Sequence, residues 1–427
     1  MLERAFLTLA VFVACTCSAM ATDLAVVNSR VQTAPDAAPV DRGTVLIRGG
    51  RIEAVGATGD VDVPDDVTVI DATGKVVTAG FWNSHVHFLH LPLREAATQP
   101  AAKLESALEN MLTRWGFTTV FDVSSFTDTA STLRRRIEAQ HFNGPAVLTV
   151  GAPFFPEGGT PVYVRDLLAS IEVPSAEVTD VAEARSRARG QLAQGTDGVK
   201  LFAGAIVGGE IEVLAMDVDI ARAIVAEAHR GGKPAFAHPT NLAGLEVSIA
   251  SGVDVLTHTT PFAGPWDATL VQRLRDRDIA LTPTLTLFEA ELRRESTPDE
   301  VIERFIAAAT QQVRVYAAAG GAILFGTDVD FIDHFDTRRE FELMTRAGLS
   351  WREILASLTT TPAERFGFGD RKGRIAPGME ADLVILGTDP AIDVTGFSDV
   401  SMTIRGGRVI YRVRDPLQIG EKSLKSK

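Results

Sequence analysis

Five short apolar runs in this chain end in side chains with metal-binding chemistry, and few folds can make use of such a series. The first closes on two histidines, in Gly80-Phe81-Trp82-Asn83-Ser84-His85-Val86-His87. Residues i and i+2 of a strand point to the same side, so both imidazoles can reach one ion. Gly198-Val199-Lys200-Leu201-Phe202 then supplies Lys200, Ala235-Phe236-Ala237-His238 supplies His238, Val255-Leu256-Thr257-His258 supplies His258, and Leu324-Phe325-Gly326-Thr327-Asp328 supplies Asp328. Each residue alone has an ordinary reading: a surface histidine pair, a lysine snorkelling from a strand edge, a satisfied core histidine, an aspartate capping a helix. Six of them on five strand ends, in one order, point to a single shared metal site.

The middle of the chain alternates strand and helix. Apolar runs predict strands at about residues 76–84, 118–123, 146–151, 198–202, 234–238, 253–258, 279–284 and 322–327. Helical periods lie between them, as at 301–319, where Ile302, Phe305, Ile306, Ala309, Val313 and Tyr316 form one apolar stripe. Thr297-Pro298-Asp299-Glu300 offers that helix an N-cap, a first-turn proline and a capping-box glutamate, and Thr361-Pro362-Ala363-Glu364 repeats the device. Eight strands separated by helices read as an α/β fold, a (β/α)8 TIM barrel, whose active sites lie at the C-terminal strand ends. The candidate ligands fall at those ends.

Both chain ends have β character instead. Short β-branched runs at 24–27, 45–48, 51–55 and 68–71 are punctuated by Gly49-Gly50, a hairpin signal. Similar runs return at 381–386 and 402–411, again turning on Gly406-Gly407. The echo between Ile47-Arg48-Gly49-Gly50-Arg51-Ile52 and Ile404-Arg405-Gly406-Gly407-Arg408-Val409 suggests that the ends meet in one small β-sandwich domain, residues 22–79 plus 370–427, flanking a barrel of residues 80–369.

Residues 1–21 are set apart as an export signal. Arg4 precedes an apolar stretch, and Ala19-Met20-Ala21 fits the small-residue cleavage pattern. A lipoprotein anchor on Cys15 is less favoured, because Phe12 suits that pattern poorly. The expected location is periplasmic or secreted. Cys15 and Cys17 are the chain's two cysteines and both lie in this segment, so no disulfide framework is expected after cleavage. No later run has the length of about 20 apolar residues that a membrane helix needs. A net charge of -13 argues against a basic nucleic-acid surface, leaving a small molecule as the expected partner, with homo-oligomerisation compatible.

The lead-in run Asp71-Ala72-Thr73-Gly74-Lys75-Val76-Val77-Thr78-Ala79-Gly80-Phe81 and the exit run Gly373-Arg374-Ile375-Ala376-Pro377-Gly378-Met379-Glu380-Ala381-Asp382-Leu383-Val384 bracket this series. With the HxH pair and the strand-four lysine, the chain resembles the amidohydrolase superfamily from about residue 24 to 411, and most closely its carboxylated-lysine binuclear members, which include imidazolonepropionase-like and Xaa-Pro dipeptidase-like relatives. The resemblance implies two divalent metals, usually zinc, with carbon dioxide bound as a carbamate on Lys200. His85, His87 and Asp328 would hold one ion, His238 and His258 the other, and the carbamate both. A free ammonium between two cations would be repelled, whereas a carbamate is an anionic oxygen donor. A metal-bridging hydroxide would attack the scissile carbonyl, and Asp328 would pass its proton to the leaving amine.

The implied function is hydrolysis of a carbon–nitrogen bond in an amide, cyclic amide or N-acyl amino acid. A Xaa-Pro-type dipeptidase or a lactonase or esterase would use the same site, and a catalytically silent barrel scaffold is the reading from another class. Thr259-Thr260-Pro261 after His258 and Pro239-Thr240-Asn241 after His238 depart from the relatives in substrate-facing loops. Residues 154–182 suggest a lid, with Tyr163 and His90 as candidate substrate contacts or else a packed aromatic and an exposed loop histidine. Arg134, Arg135 and Arg136 read as a solvated helix face, Asp122 as a turn cap that could also support the first metal's ligands, and His141, His229 and His334 receive no role.

Overall fold

The structure, a computed structural model, describes residues 23–169, 173–208 and 212–413. The expected export signal and both cysteines lie outside the described residues. No helix among the described residues is long and apolar enough to cross a membrane.

Seven parallel strands follow one another around the central layer. Phe81–Val86, Phe117–Asp122 and Ala146–Thr149 form one parallel ladder; Val199–Phe202, Ala235–His238, Val255–Thr257 and Ala280–Thr282 form another. Phe154 stitches the two together, its amide donating to the Lys200 carbonyl at 2.8 Å and its carbonyl accepting from the Phe202 amide at 2.9 Å. The expected eighth strand, 322–327, makes only an isolated bridge between Ile323 and Leu281. Its reach is short because the Phe325 amide donates to the Ser357 carbonyl, while the Phe325 carbonyl accepts from Ser84 at 2.8 Å and so joins the last segment to the first strand. The result is an incompletely closed (β/α)8 barrel.

Alternation along the strands sorts the side chains. Phe121, Phe236, Val255, Ala280 and Leu324 fill a small interior core with Phe366, while Val120, Ala237, Leu256 and Leu281 join the larger core beneath the helices. Because side chains repeat every second residue, Phe236 inside sets His238 inside, one step nearer the mouth. Asp180, Asp217, Asn241 and Asp267 each cap a covering helix by accepting backbone N–H groups of its first turn. The helix expected over 301–319 spans Asp299–Ala318 and lacks the predicted capping box: Pro298 occupies the N-cap position, with no side-chain acceptor. Thr361-Pro362 likewise falls inside the helix Thr360–Arg365 rather than at its start.

The two chain ends do meet, in one mixed eight-stranded sheet. Val76–Ala79 pairs antiparallel with Leu383–Leu386, and the two Gly-Gly hairpins come together over the exit run: the Ala381 amide donates to the Gly50 carbonyl and the Gly407 amide to the Ala381 carbonyl. Gly49, Gly50, Gly406 and Gly407 all have positive φ, as the tight hairpin turns require. The run 76–84, expected as one strand, is divided at Gly80, whose amide donates to Asp382 at 2.7 Å while the chain passes from this sheet to the barrel. A Cβ there would sit 2.3 Å from Thr118 Oγ1 and 2.8 Å from Asp382 Cβ. Gly80→Ala is therefore expected to cost about 1–3 kcal/mol through overpacking, read as a lower denaturant midpoint; an unchanged midpoint would show that the junction is looser than this contact implies.

Candidate metal centre

The six predicted donors, His85, His87, Lys200, His238, His258 and Asp328, line one cavity of about 920 Å³ at the C-terminal mouth of the barrel. Their imidazoles form a continuous series, with ring centroids 5.1 Å apart for His87 and His85, 4.7 Å for His85 and His258, and 4.6 Å for His258 and His238. One donor atom from each of His85, His258 and Asp328 lies within 4.8 Å of the others. His87 Nε2 and His85 Nε2 approach the same oxygen, Asp328 Oδ1, at 2.7 and 2.9 Å.

The hydrogen bonds on the far side of the rings decide which nitrogen faces the centre. His87 Nδ1 lies 3.0 Å from the Ser124 carbonyl, which can only accept, so Nδ1 carries the proton and Nε2 presents a lone pair in the neutral ring. At 2.7 Å that lone pair meets a carboxylate oxygen, and a proton or a metal ion has to sit between them. The Thr284 hydroxyl donates to the Pro283 carbonyl at 2.9 Å and so accepts from His258 Nδ1 at 2.7 Å, which frees His258 Nε2 as well. The donor set fits a divalent metal: the Nε2 atoms of His87 and His258 are turned inward, with a carboxylate at the centre.

Burial reinforces that chemistry. It pushes the His85 imidazole down to about 4, against the attraction of Asp328, and holds His238 and His258 well below the ordinary histidine value. Asp328, which burial alone would raise, is held well below the usual carboxylate range by His85 and His87. Lys200 is 1% exposed, and burial draws its amine down to about 7. Its Nζ donates to Thr257 Oγ1 at 2.7 Å, and no carboxylate forms an ion pair with it among the described residues.

The backbone beneath these groups is strained. His258 has φ 88°, Asp328 φ 60° and Thr284 φ 45°, a region that side-chain-bearing residues rarely adopt. Glu340 fixes the Thr284 corner, accepting from the Leu285 and Thr286 amides and the Thr286 hydroxyl at 2.7–2.8 Å. Gly326 makes room on the other side, since a Cβ there would lie 2.8 Å from His85 Cβ. Asp122 is wholly buried and does more than cap a turn: it accepts from Ser125 Oγ at 2.5 Å and Thr149 Oγ1 at 2.6 Å, holding the turn whose Ser124 carbonyl orients His87.

Of the two candidate substrate contacts, Tyr163 lines the cavity, packed edge-on against Phe331 at 5.4 Å. His90 lies outside the lining, with 59% of its side chain exposed and Nδ1 held 2.7 Å from the Asp330 carbonyl. Thr284, Glu340 and the cavity-lining Glu291 carry no strand-end signal. Only the spacing of Leu287, Phe288, Glu291 and Leu292, one helix face, could have marked Glu291 in advance.

A sequence profile described as the amidohydrolase family matches residues 76–410. The chain belongs to this family. The match runs from the last strand before Gly80 to the final hairpin, so it takes in every donor named above. The amidohydrolase chain is similar to an adenine deaminase of Rubrobacter xylanophilus, 28% identical over 383 residues, 86% of this chain and 54% of that protein. It thus spans about half the length of that curated relative. Among solved structures it resembles a Xaa-Pro dipeptidase with methionine in the active site, with a TM-score of 0.77, 21% identity and coverage of 92% of this chain and 100% of that one. A putative prolidase from Bifidobacterium longum is comparable, at TM-score 0.76 and 24% identity over 92% and 95% of the two chains. At these identities the likeness establishes the fold.

The threonine behind His258 is open to a direct test. Thr284→Val keeps the shape and removes the hydrogen bond that sets the imidazole tautomer, so metal affinity measured by chelator competition should fall about 10–100-fold with the fold intact. Undiminished affinity would place His258 outside the ligand set.

Proposed function

We propose that the protein is an exported metal-dependent hydrolase that cleaves a carbon–nitrogen bond of an amide-type substrate, with His85, His87, His238, His258, Asp328 and a carbamate on Lys200 as ligands of two divalent ions. The observation that carries this reading is the convergence of all six donors on one cavity with the His87 and His258 Nε2 atoms turned inward. When bound, the ions would acidify a shared water and polarise the substrate carbonyl.

The chain's own groups account for the remaining work. Asp328 is the one carboxylate at the centre, close to both His85 and His87, and is ionised by them, so it can accept a proton from the attacking water and return it to the departing nitrogen. Lys200, buried and without a carboxylate in an ion pair among the described residues, is drawn down toward the neutral amine that carbon dioxide requires, and the carbamate so formed would be anchored near Thr257. The largely apolar lining would lower the polarity around the reacting carbonyl. Support for export comes from the leader-like composition of residues 1–21.

A Xaa-Pro dipeptidase uses the same catalytic groups and is favoured by one observation, the agreement in fold with the dipeptidase and prolidase structures along 92% of the chain. Initial rates of the metal-loaded protein on N-acyl amino acids, Xaa-Pro dipeptides and lactones separate the readings: amide or dipeptide turnover supports the proposal, while turnover of lactones alone contradicts it. The ligand set has its own test. Lys200→Ala should fold, bind one metal per chain instead of two by elemental analysis, and lose most turnover; two metals and full activity in this variant would refute the bridging carbamate.

A further inference from the structure

The helix Leu285–Arg294 follows the seventh barrel strand and turns one face to the cavity, with Leu287, Phe288, Glu291 and Leu292 in its lining. Glu291 shares the cavity lining with Leu287, Phe288, Leu292, Arg294 and Glu295 of its own helix and its end. Two aromatic pairs contribute to the same lining, Tyr163 packed on Phe331 at 5.4 Å and Phe288 on Phe305 at 5.8 Å. The carboxylate has an incomplete partner. Arg294, three residues on and 61% exposed, donates to Oε2, while Oε1 has no hydrogen-bond partner among the described residues. Burial raises Glu291 to about 6 despite Arg294, with Asp328, Glu295 and Asp333 adding to the negative field around it. The Tyr163 phenol feels the charges of both Asp328 and Glu291, so the carboxylate lies within electrostatic reach of the metal centre and of the aromatic wall.

A carboxylate 24% exposed, with one oxygen unpaired among the described residues, in a cavity that several aromatic rings also line, suits an organic cation, which gains from both charge and ring quadrupoles. A substrate carboxylate would meet the opposite situation. The guanidiniums in the lining are Arg294, engaged by Glu291, and Arg187, which donates to the Glu177 carbonyl and the Glu183 carboxylate while lying over Phe154 at 5.5 Å. We propose that Glu291, with Tyr163, Phe288 and Phe331, seats a protonated or quaternary amine, and that the substrate is an apolar amide carrying that cation at the end away from the scissile bond. This inference rests on the hydrolase reading for the word substrate, but the cation seat can be measured without turnover.

The experiment is calorimetric titration of the metal-loaded protein with 4-phenylbutyl-trimethylammonium, whose nitrogen cannot coordinate a metal, and with the neutral 4-phenylbutan-1-ol. The ammonium should bind at least about tenfold more tightly, and Glu291→Gln should abolish that preference while leaving the alcohol's affinity unchanged. Equal affinities, binding of neither probe, or a preference that survives Glu291→Gln would overturn the proposal. A protein that shows the Glu291-dependent preference yet hydrolyses no amide would refute the hydrolase reading alone. One that hydrolyses amides without the preference would refute this inference alone.

Discussion

Desolvation of Lys200 is the constraint on which the rest of the site depends. The amine lies among four histidines at the mouth of the barrel, 1% exposed, with a threonine hydroxyl as its hydrogen-bond acceptor and no carboxylate in contact. Burial that brings its pKa from 10.5 to about 7 represents on the order of 5 kcal/mol against the charged form. Burial thus disfavours positive charge on Lys200, His85, His238 and His258, whereas at His87 it is outweighed by Asp328, which raises that imidazole. In the proposed function divalent cations would supply the positive charge, and carbamylation would turn the amine into an anionic oxygen ligand. The burial that disfavours ammonium is compatible with that proposal.

Such a centre needs support that is itself rigid. His258, Asp328 and Thr284 sit in the left-handed backbone region, and each is over-determined by its surroundings. Glu340 clamps the amides after Thr284, Thr284 orients His258, and Asp122 holds the turn that orients His87. These contacts cross between barrel segments far apart in the chain, so the geometry of the centre is coupled to closure of the barrel. The junction at Gly80 extends that coupling to the terminal sheet, since the first barrel strand leaves it within one residue.

The gathering of these six residues at one cavity was legible in the sequence because strand chemistry is local: apolar runs carrying histidine, lysine or aspartate near their ends mark the strand ends that a barrel brings together. The Gly-Gly hairpins were legible for a similar reason, since their turns require positive φ at adjacent positions. The division of 76–84 at Gly80 was hidden because hydropathy is continuous across it and only the close approach of Thr118 and Asp382 separates the two strands. The eighth strand looked regular, yet its Phe325 amide is taken by Ser357 from a later helix. Thr284 and Glu340 gain their roles from neighbours distant in sequence, which no local pattern reports. The start of the helix Asp299–Ala318 was misplaced for a subtler reason: threonine and glutamate had the capping spacing, but Pro298 took the N-cap position.

The central proposal is that six donors on five strand ends would hold two neighbouring cations bridged by a modified Lys200. Anomalous diffraction from crystals of the zinc-loaded protein tests it most directly. The account predicts two anomalous peaks, one between His85, His87 and Asp328 and one beside His238 and His258, with electron density for a carboxylated Lys200 joining them. A single peak with an unmodified Lys200 side chain, or peaks away from these imidazoles, would contradict it.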